Sequence, residues 1–397
     1  MTSAGVPSRI ASIDILRALT MVLMIFVNDL WSLEGIPEWL EHTAAEEDGM
    51  GMADVVFPAF LFIVGLSIPF AVNNRRKKGD TDFQIISHIV VRAIALLVMG
   101  LFLVNGENIN EQATGMHRLL WNSLCCLAFI LIWNAYPSTA NRWLVRSAKT
   151  AGIVILLTLA FMYRGGEGDS IHRFSTYWWG ILGLIGWAYL ITGILYTYLG
   201  KTIYGLSAMW LYFIITSASA HAGLITSDFL KTILSPIGEG ALPALTTGGV
   251  IIAMVYLHYK NAGSQSKMLL VMTLMAIVLL ILGFYTRTFW GISKIRATPA
   301  WVLICSAITI FSFVLIYWIA DAKGKANWFA FLKPAGTNTL LCYLIPYFAY
   351  AFVALVGFNF PEEMLTGMTG LIKSFTFALL VVFIAGLLGR IGIQLKL

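Results

Sequence analysis

The chain has 397 residues, 59% hydrophobic and 12% charged, with a formal net charge of +6. A water-soluble domain carries about 25% charged residues, so this composition argues against a soluble fold. Unbroken apolar runs of about 18 to 24 residues fit helices that cross a bilayer, whereas a membrane barrel would alternate in segments of about ten. The expected fold class is all-α: a polytopic transmembrane helical bundle of about 12 helices, roughly 10 to 12, forming one transmembrane domain over 1–397.

The first span is expected at 13–33. It follows Met1 to Pro7, a short uncharged start without a basic region and small-residue cleavage site, so no removable signal peptide is expected. Asn28 and Asp29 close this span while still in an apolar context. Polar groups at that depth line cavities or hydrogen-bond neighbouring helices. The loop 34–53 then carries His42, its lone histidine, between Trp39 and the acidic cluster Glu46, Glu47 and Asp48. Imidazole titrates near neutrality and can accept a proton from an amine or hydroxyl nucleophile; a merely solvated histidine is the other reading. Asp54 opens the second span, 54–72, where a carboxylate can cap the helix N-terminus, with Pro58 inside the first turns.

Spans at 83–104, 117–135 and 148–163 follow, then a pair at 177–199 and 202–222, then 241–259, 267–287, 299–319, 335–357 and 370–391. Ser293, Lys294 and Arg296 precede the tenth span, where the two cations could bind an anion or snorkel to the interface. Asn338 falls about five residues into the eleventh span and is expected to be buried. With both termini cytoplasmic, eighteen of the 26 Lys and Arg residues lie on the inner side and eight on the outer. That asymmetry obeys the positive-inside rule and puts the His42 loop outside. Arg17, Arg92 and the Arg75 to Lys78 run are then inner cations that either attract an anionic cosubstrate or serve as topology signals.

Cys125, Cys126, Cys305 and Cys342 all sit in apolar runs as small hydrophobes. No HExxH or paired-cysteine spacing occurs, so no metal is expected; without a Walker A sequence or a strand-preceded GxGxxG, neither is a soluble-type nucleotide site. The positive charge is accounted for by topology, and no nucleic acid partner is expected.

In order along the chain, SIDILRALTMVLMIFVN, the looped His42, GMADVVFPAFLFIVGLSI, GEGALPAL around Glu239, GISKIRATPAWVL and PAGTNTLLCYL resemble the heparan-α-glucosaminide N-acetyltransferase family and its bacterial relatives. The resemblance is strongest at 9–72 and 288–345, and the 177–222 pair looks like a feature of a bacterial branch. It implies transfer of an acetyl group from cytoplasmic acetyl-CoA, as cosubstrate, to an amino sugar of the glucosamine type on the far side of a bacterial inner membrane. His42 and Asn28 correspond by position to the family's histidine and asparagine. His42 is then the general base, Asn28 a donor to the tetrahedral intermediate, and Asp29 or Asp54 the group that orients the imidazole. Arg17, Arg92, Asn122, Lys294 and Asn338 are the expected acetyl-CoA contacts. Asn122 and Ser123 replace a glutamine and an arginine of the family pattern, so the donor would be held differently here. The expected partners are the amino-sugar or glycan acceptor, acetyl-CoA and the lipid bilayer, with a homodimer left open. The competing classes are a transporter or flippase for a sugar or lipid-linked sugar, and an O-acyltransferase acting on a cell-envelope glycan.

Overall fold

In hydrocarbon every backbone N–H and C=O must be paired within its own segment, so long apolar runs fold as helices. The computed structural model describes residues 10–200 and 202–397; Met1 to Pro7, Arg9 and Lys201 lie outside the described residues. Among the described residues there are twelve principal helices: α1 Ala11–Asp29, α2 Met52–Lys77, α3 Asp82–Glu107, α4 Arg118–Trp133, α5 Arg142–Met162, α6 Ile181–Leu199, α7 Ile203–His221, α8 Ala241–Asn261, α9 Gln265–Trp290, α10 Pro299–Tyr317, α11 Thr339–Val356 and α12 Gly367–Arg390. All but α4 are long and apolar enough to cross a membrane. The 16 residues of α4 rise about 24 Å. No strand is present among the described residues.

Each expected span corresponds to one of these helices, with shifted ends. The fifth begins at Arg142, earlier than its hydropathy indicated, because Asn141 caps it by accepting from Trp143 N. The eleventh is interrupted: a short helix Lys333–Thr337 stops at Asn338, whose φ of −127° and ψ of 41° break the ladder before α11 begins.

α1, α2, α8 and α10 bury most of their surface, whereas α5, α7 and α9 leave rows of large apolar side chains exposed. The buried helices approach closely through glycine. A Cβ on Gly65 of α2 would collide with Thr246 O of α8, and one on Gly249 of α8 with Phe62 O of α2. Small residues at such crossings let helix backbones meet where lipid supplies no hydrophobic drive.

The helices alternate in direction, which collects the same residues at each end. At one end Ser12 N donates to Asp321 Oδ2, and the C-terminal tail pairs with Asn134 and Asn338. At the other, Glu34 pairs with the segment opening α12 through Glu34 N to Leu365 O and Gly367 N to Glu34 O. We call these the Arg17 end and the His42 end.

Candidate active site

The loop between α1 and α2 folds back over the start of α2, and Asp54 organises the return. At the third position of α2 its Oδ2 accepts from Gly51 N at 3.1 Å and Thr43 N at 3.0 Å, while Oδ1 lies 2.7 Å from His42 Nδ1. Gly51 is required by space, because a Cβ there would strike Glu41 O. The helix-capping role and a histidine-orienting role are therefore filled by the same carboxylate. Its side chain is 1% exposed and that of His42 is 47% exposed. An ionised carboxylate only accepts, so Nδ1 donates to it and Nε2 of the neutral ring carries the lone pair that can take a proton.

Pro58 adds a second anchor. It has no N–H to return to Asp54 O four residues earlier, and that carbonyl accepts the indole N–H of Trp301 on α10 at 3.0 Å.

The turn between α9 and α10 closes over the same loop. Arg287 Nε donates to Asp48 Oδ2 at 2.9 Å, Ile292 N to Asp48 Oδ1 at 2.7 Å, and Arg296 Nε to Ala45 O at 2.8 Å. This turn brings Lys294 Nζ to 3.2 Å from His42 Nδ1, 3.5 Å from Nε2 and 3.9 Å from Asp54 Oδ1. Burial holds the Lys294 ammonium below the usual lysine range, against the opposing pull of Asp54. Lys294 thus stands among the histidine's surroundings and does not line the cavity at the Arg17 end. Two non-glycine residues in the left-handed region lie in neighbouring turns: Glu239, with φ of 54°, in the turn before α8, and Ala297, with φ of 51°, in the turn before α10. A Cβ added to Gly238 would stand 3.5 Å from the Ala297 Cβ. Such conformations cost about 1 kcal/mol or more each and persist where the surroundings enforce them.

The Asp48 clasp is expected to open in acid. The Ile292 amide and then the Arg287 guanidinium hold its carboxyl below the usual carboxylate range. A depressed carboxylate contributes stability fully above its unfolded pKa of about 3.9 and loses it as pH falls through the lower folded value. Pepsin should therefore spare the 43–50 segment above the ordinary carboxylate pKa of about 3.9 and cut it as the pH falls well below that value, while Asp48→Asn is cut at both. Identical digestion of the two proteins at both pH values would remove Asp48 as the clasp.

The other predicted residues separate. Asn28 is exposed at the end of α1, and its side chain makes no hydrogen bond among the described residues. Asp29 does not meet His42: it is buried and accepts from Tyr350 Oη at 2.9 Å, Ser374 Oγ at 2.6 Å and Lys373 Nζ at 2.9 Å. One residue further along α1 turns the side chain by about 100°, toward α11 and α12 and away from the loop.

At the Arg17 end a cavity of about 420 Å³ is lined by Arg17, Ser67, Arg92, Tyr189, Tyr343 and Lys396 among others. Arg17 donates to Asp14 Oδ1 at 3.0 Å, Gly336 O at 3.2 Å and Ser67 Oγ at 2.7 Å. The Arg92 guanidinium stacks 5.0 Å above the Tyr189 ring. The α2 wall runs from Ala71 to Phe60, about 16 Å along the helix, and ends about 9 Å short of Asp54. Asn122 does not line the cavity; it is buried against Gly106, its Oδ1 without a partner in the structure. Asn338 stands behind the cavity, bonding Ile393 O and Leu395 N of the tail whose Leu395, Lys396 and Leu397 close one side. Among the described residues no group of three or more His, Cys, Asp or Glu side chains could hold a metal ion.

These features define a polytopic helical membrane protein with a histidine–carboxylate pair at one end and a basic cavity entering from the other. The family model described as "Domain of unknown function (DUF5009)" matches residues 9–229, more than half of the chain, and the chain belongs to that family. It is also a relative of the heparan-α-glucosaminide N-acetyltransferase family. It is 31% identical over 102 residues to "Heparan-alpha-glucosaminide N-acetyltransferase" of Homo sapiens, covering 26% of this chain and 15% of that protein. With the protein of the same name from Mus musculus it is 33% identical over 99 residues, covering 25% and 14%. The match thus spans only a small part of the length of these curated relatives.

Proposed function

We propose that the protein carries an acetyl group from acetyl-CoA, held in the Arg17 cavity, to an amino sugar of the glucosamine type at the His42 end. The observation that carries this reading is the 2.7 Å pair of His42 with Asp54 at the start of α2, the helix whose stretch from Phe60 to Ala71 walls the basic cavity. A similarity to an N-acetyltransferase of amino sugars supports it. Arg17, Arg92 and Lys396 give the cavity a cationic mouth suited to the phosphates of coenzyme A, and Met21, Met24 and Leu340 give it an apolar interior. The excess of cations at this end supports a cytoplasmic placement, with the His42 end facing the periplasm of a bacterial inner membrane.

An acetyl thioester is already activated, so catalysis needs a base, an oxyanion donor and alignment. His42 Nε2 takes the proton of the attacking amine, and Asp54 fixes the ring and stabilises the imidazolium. The unpartnered amide of Asn28 is available to the developing negative charge. Exposed Glu34, Glu38, Glu41, Glu46 and Glu47 give this end an acidic rim that favours an acceptor carrying an ammonium group.

Purified protein given acetyl-CoA radiolabelled in the acetyl group should label glucosamine or another 2-amino sugar on nitrogen, and leave sugars without an amine unlabelled. Label appearing only on hydroxyls would make the protein an O-acyltransferase. Recovery of all label as acetyl-CoA with every acceptor would end the acyltransferase reading.

A further inference from the structure

We propose that Lys294 is a catalytic residue, its ammonium stabilising the oxyanion formed when an acyl thioester is attacked beside His42. The inference rests on the acyl-transfer reading above and gives a catalytic role to a cation expected from the sequence among the acetyl-CoA contacts.

Position is the first argument. Asp54 occupies His42 Nδ1, which leaves Nε2 to receive the nucleophile's proton, and Lys294 Nζ stands 3.5 Å from that nitrogen. A nucleophile bonded to Nε2 brings the acyl carbon beside it, and the carbonyl oxygen is one bond further on. The ammonium is therefore within contact range of the place where charge develops. Preorganised donors aimed at such a place commonly supply a large share of catalysis.

Rigidity is the second argument. The 291–298 turn carrying Lys294 is bonded internally through Ser293 N to Thr298 Oγ1 and Arg296 N to Ser293 Oγ, and is tied to the histidine's own loop through Ile292 N to Asp48 Oδ1. Histidine and lysine are thus held by one clasp, as a preorganised charge requires. Arg296, two residues on, is committed to Ala45 O and does not share the role.

The electron count is simple. The amine nitrogen bonds to the acyl carbon, the carbonyl π pair moves to oxygen, and the amine proton passes to Nε2. On collapse the C=O bond reforms, the C–S bond breaks and Nε2 returns the proton to the departing thiolate. Lys294 keeps its proton throughout.

Among the described residues, His42, Asp54 and the buried Cys305 thiol face the ammonium. Burial loosens the lysine's hold on its proton, so transfer should fall on the alkaline side as the ammonium is lost. Arginine stays charged there, and Lys294→Arg should lose that alkaline fall.

The test uses the full chain in lipid nanodiscs, with acetyl-CoA and glucosamine, and with water as acceptor for thioester hydrolysis. Lys294→Met should lower kcat about a hundredfold or more while leaving the acetyl-CoA KM within about threefold, because the charge acts only in the transition state. Lys294→Arg should recover part of kcat and extend activity to higher pH. A kcat within about twofold of wild type in Lys294→Met would overturn the role, as would an arginine variant no better than methionine. Wild-type protein that neither transfers nor hydrolyses would overturn the acyl-transfer reading and this role together, an outcome distinct from failure of Lys294 alone.

Discussion

His42→Ala is expected to leave a folded protein that binds acetyl-CoA yet transfers acetyl groups at least about a hundredfold more slowly, the scale for losing a general base. The imidazole is nearly half exposed and, among the described residues, its polar partners are Asp54 and Lys294, so its removal opens no core cavity. A rate defect can therefore be read as lost chemistry. Donor binding should survive, because the Arg17 cavity ends about 9 Å short of Asp54 along α2. Single-turnover measurement with labelled acetyl-CoA, beside calorimetry of donor binding, separates the two. Near-normal turnover would remove His42 from the mechanism and return the argument to a transport path. Label retained covalently on His42 of the wild type would replace general-base catalysis by an acetyl-histidine route.

The largest effect on stability is expected at Asp29. Among the described residues its carboxylate is the sole acidic partner of Lys373, in a pocket where the two side chains are 5% and 12% exposed, and it also anchors Tyr350 and Ser374. Asp29→Ala leaves the ammonium without a counter-charge and two hydroxyls without an acceptor. Breaking a buried pair from one side costs about 3–5 kcal/mol, while replacing both partners is far milder. Thermal unfolding in detergent should thus show a large drop for Asp29→Ala and substantial recovery in Asp29→Ala/Lys373→Met. If the single variant unfolds like wild type but loses transfer, Asp29 belongs to the chemistry and not to the packing of α1 on α11 and α12.

The two aspartates show how far the sequence reads. Both are acidic residues at helix ends facing the same loop, and either could orient an imidazole, so composition and spacing left the choice open. Tertiary structure separates them. Lys373 arrives from α12 to neutralise Asp29, and the loop fold allowed by Gly51 delivers His42 to Asp54. A partner more than 300 residues distant leaves no local signal.

Trp301 has a sequence trace that passes unnoticed. Proline four residues after Asp54 frees a carbonyl that must find a donor, but which donor is decided by the crossing of α10. Lys294 has none. On sequence it is a cation before a membrane span, equally suited to an anion or to the interface, and only the Asp48 clasp turns it toward His42.

By itself the sequence determined the helices, their number and the side of the bundle on which each loop emerges. Apolar length and the need to pair every backbone group act locally in hydrocarbon. It also marked Arg17 and Arg92, although only the packing of α1, α2, α3 and α6 makes them neighbours around one cavity. Helix ends moved where a capping side chain overrode hydropathy, as at Arg142, or where a side chain bonds a distant tail, as at Asn338. The pairing of His42 with Asp54 and Lys294, and the diversion of Asp29 to Lys373, were decided by tertiary structure alone, because electrostatic and hydrogen-bonding partners are chosen by proximity in space.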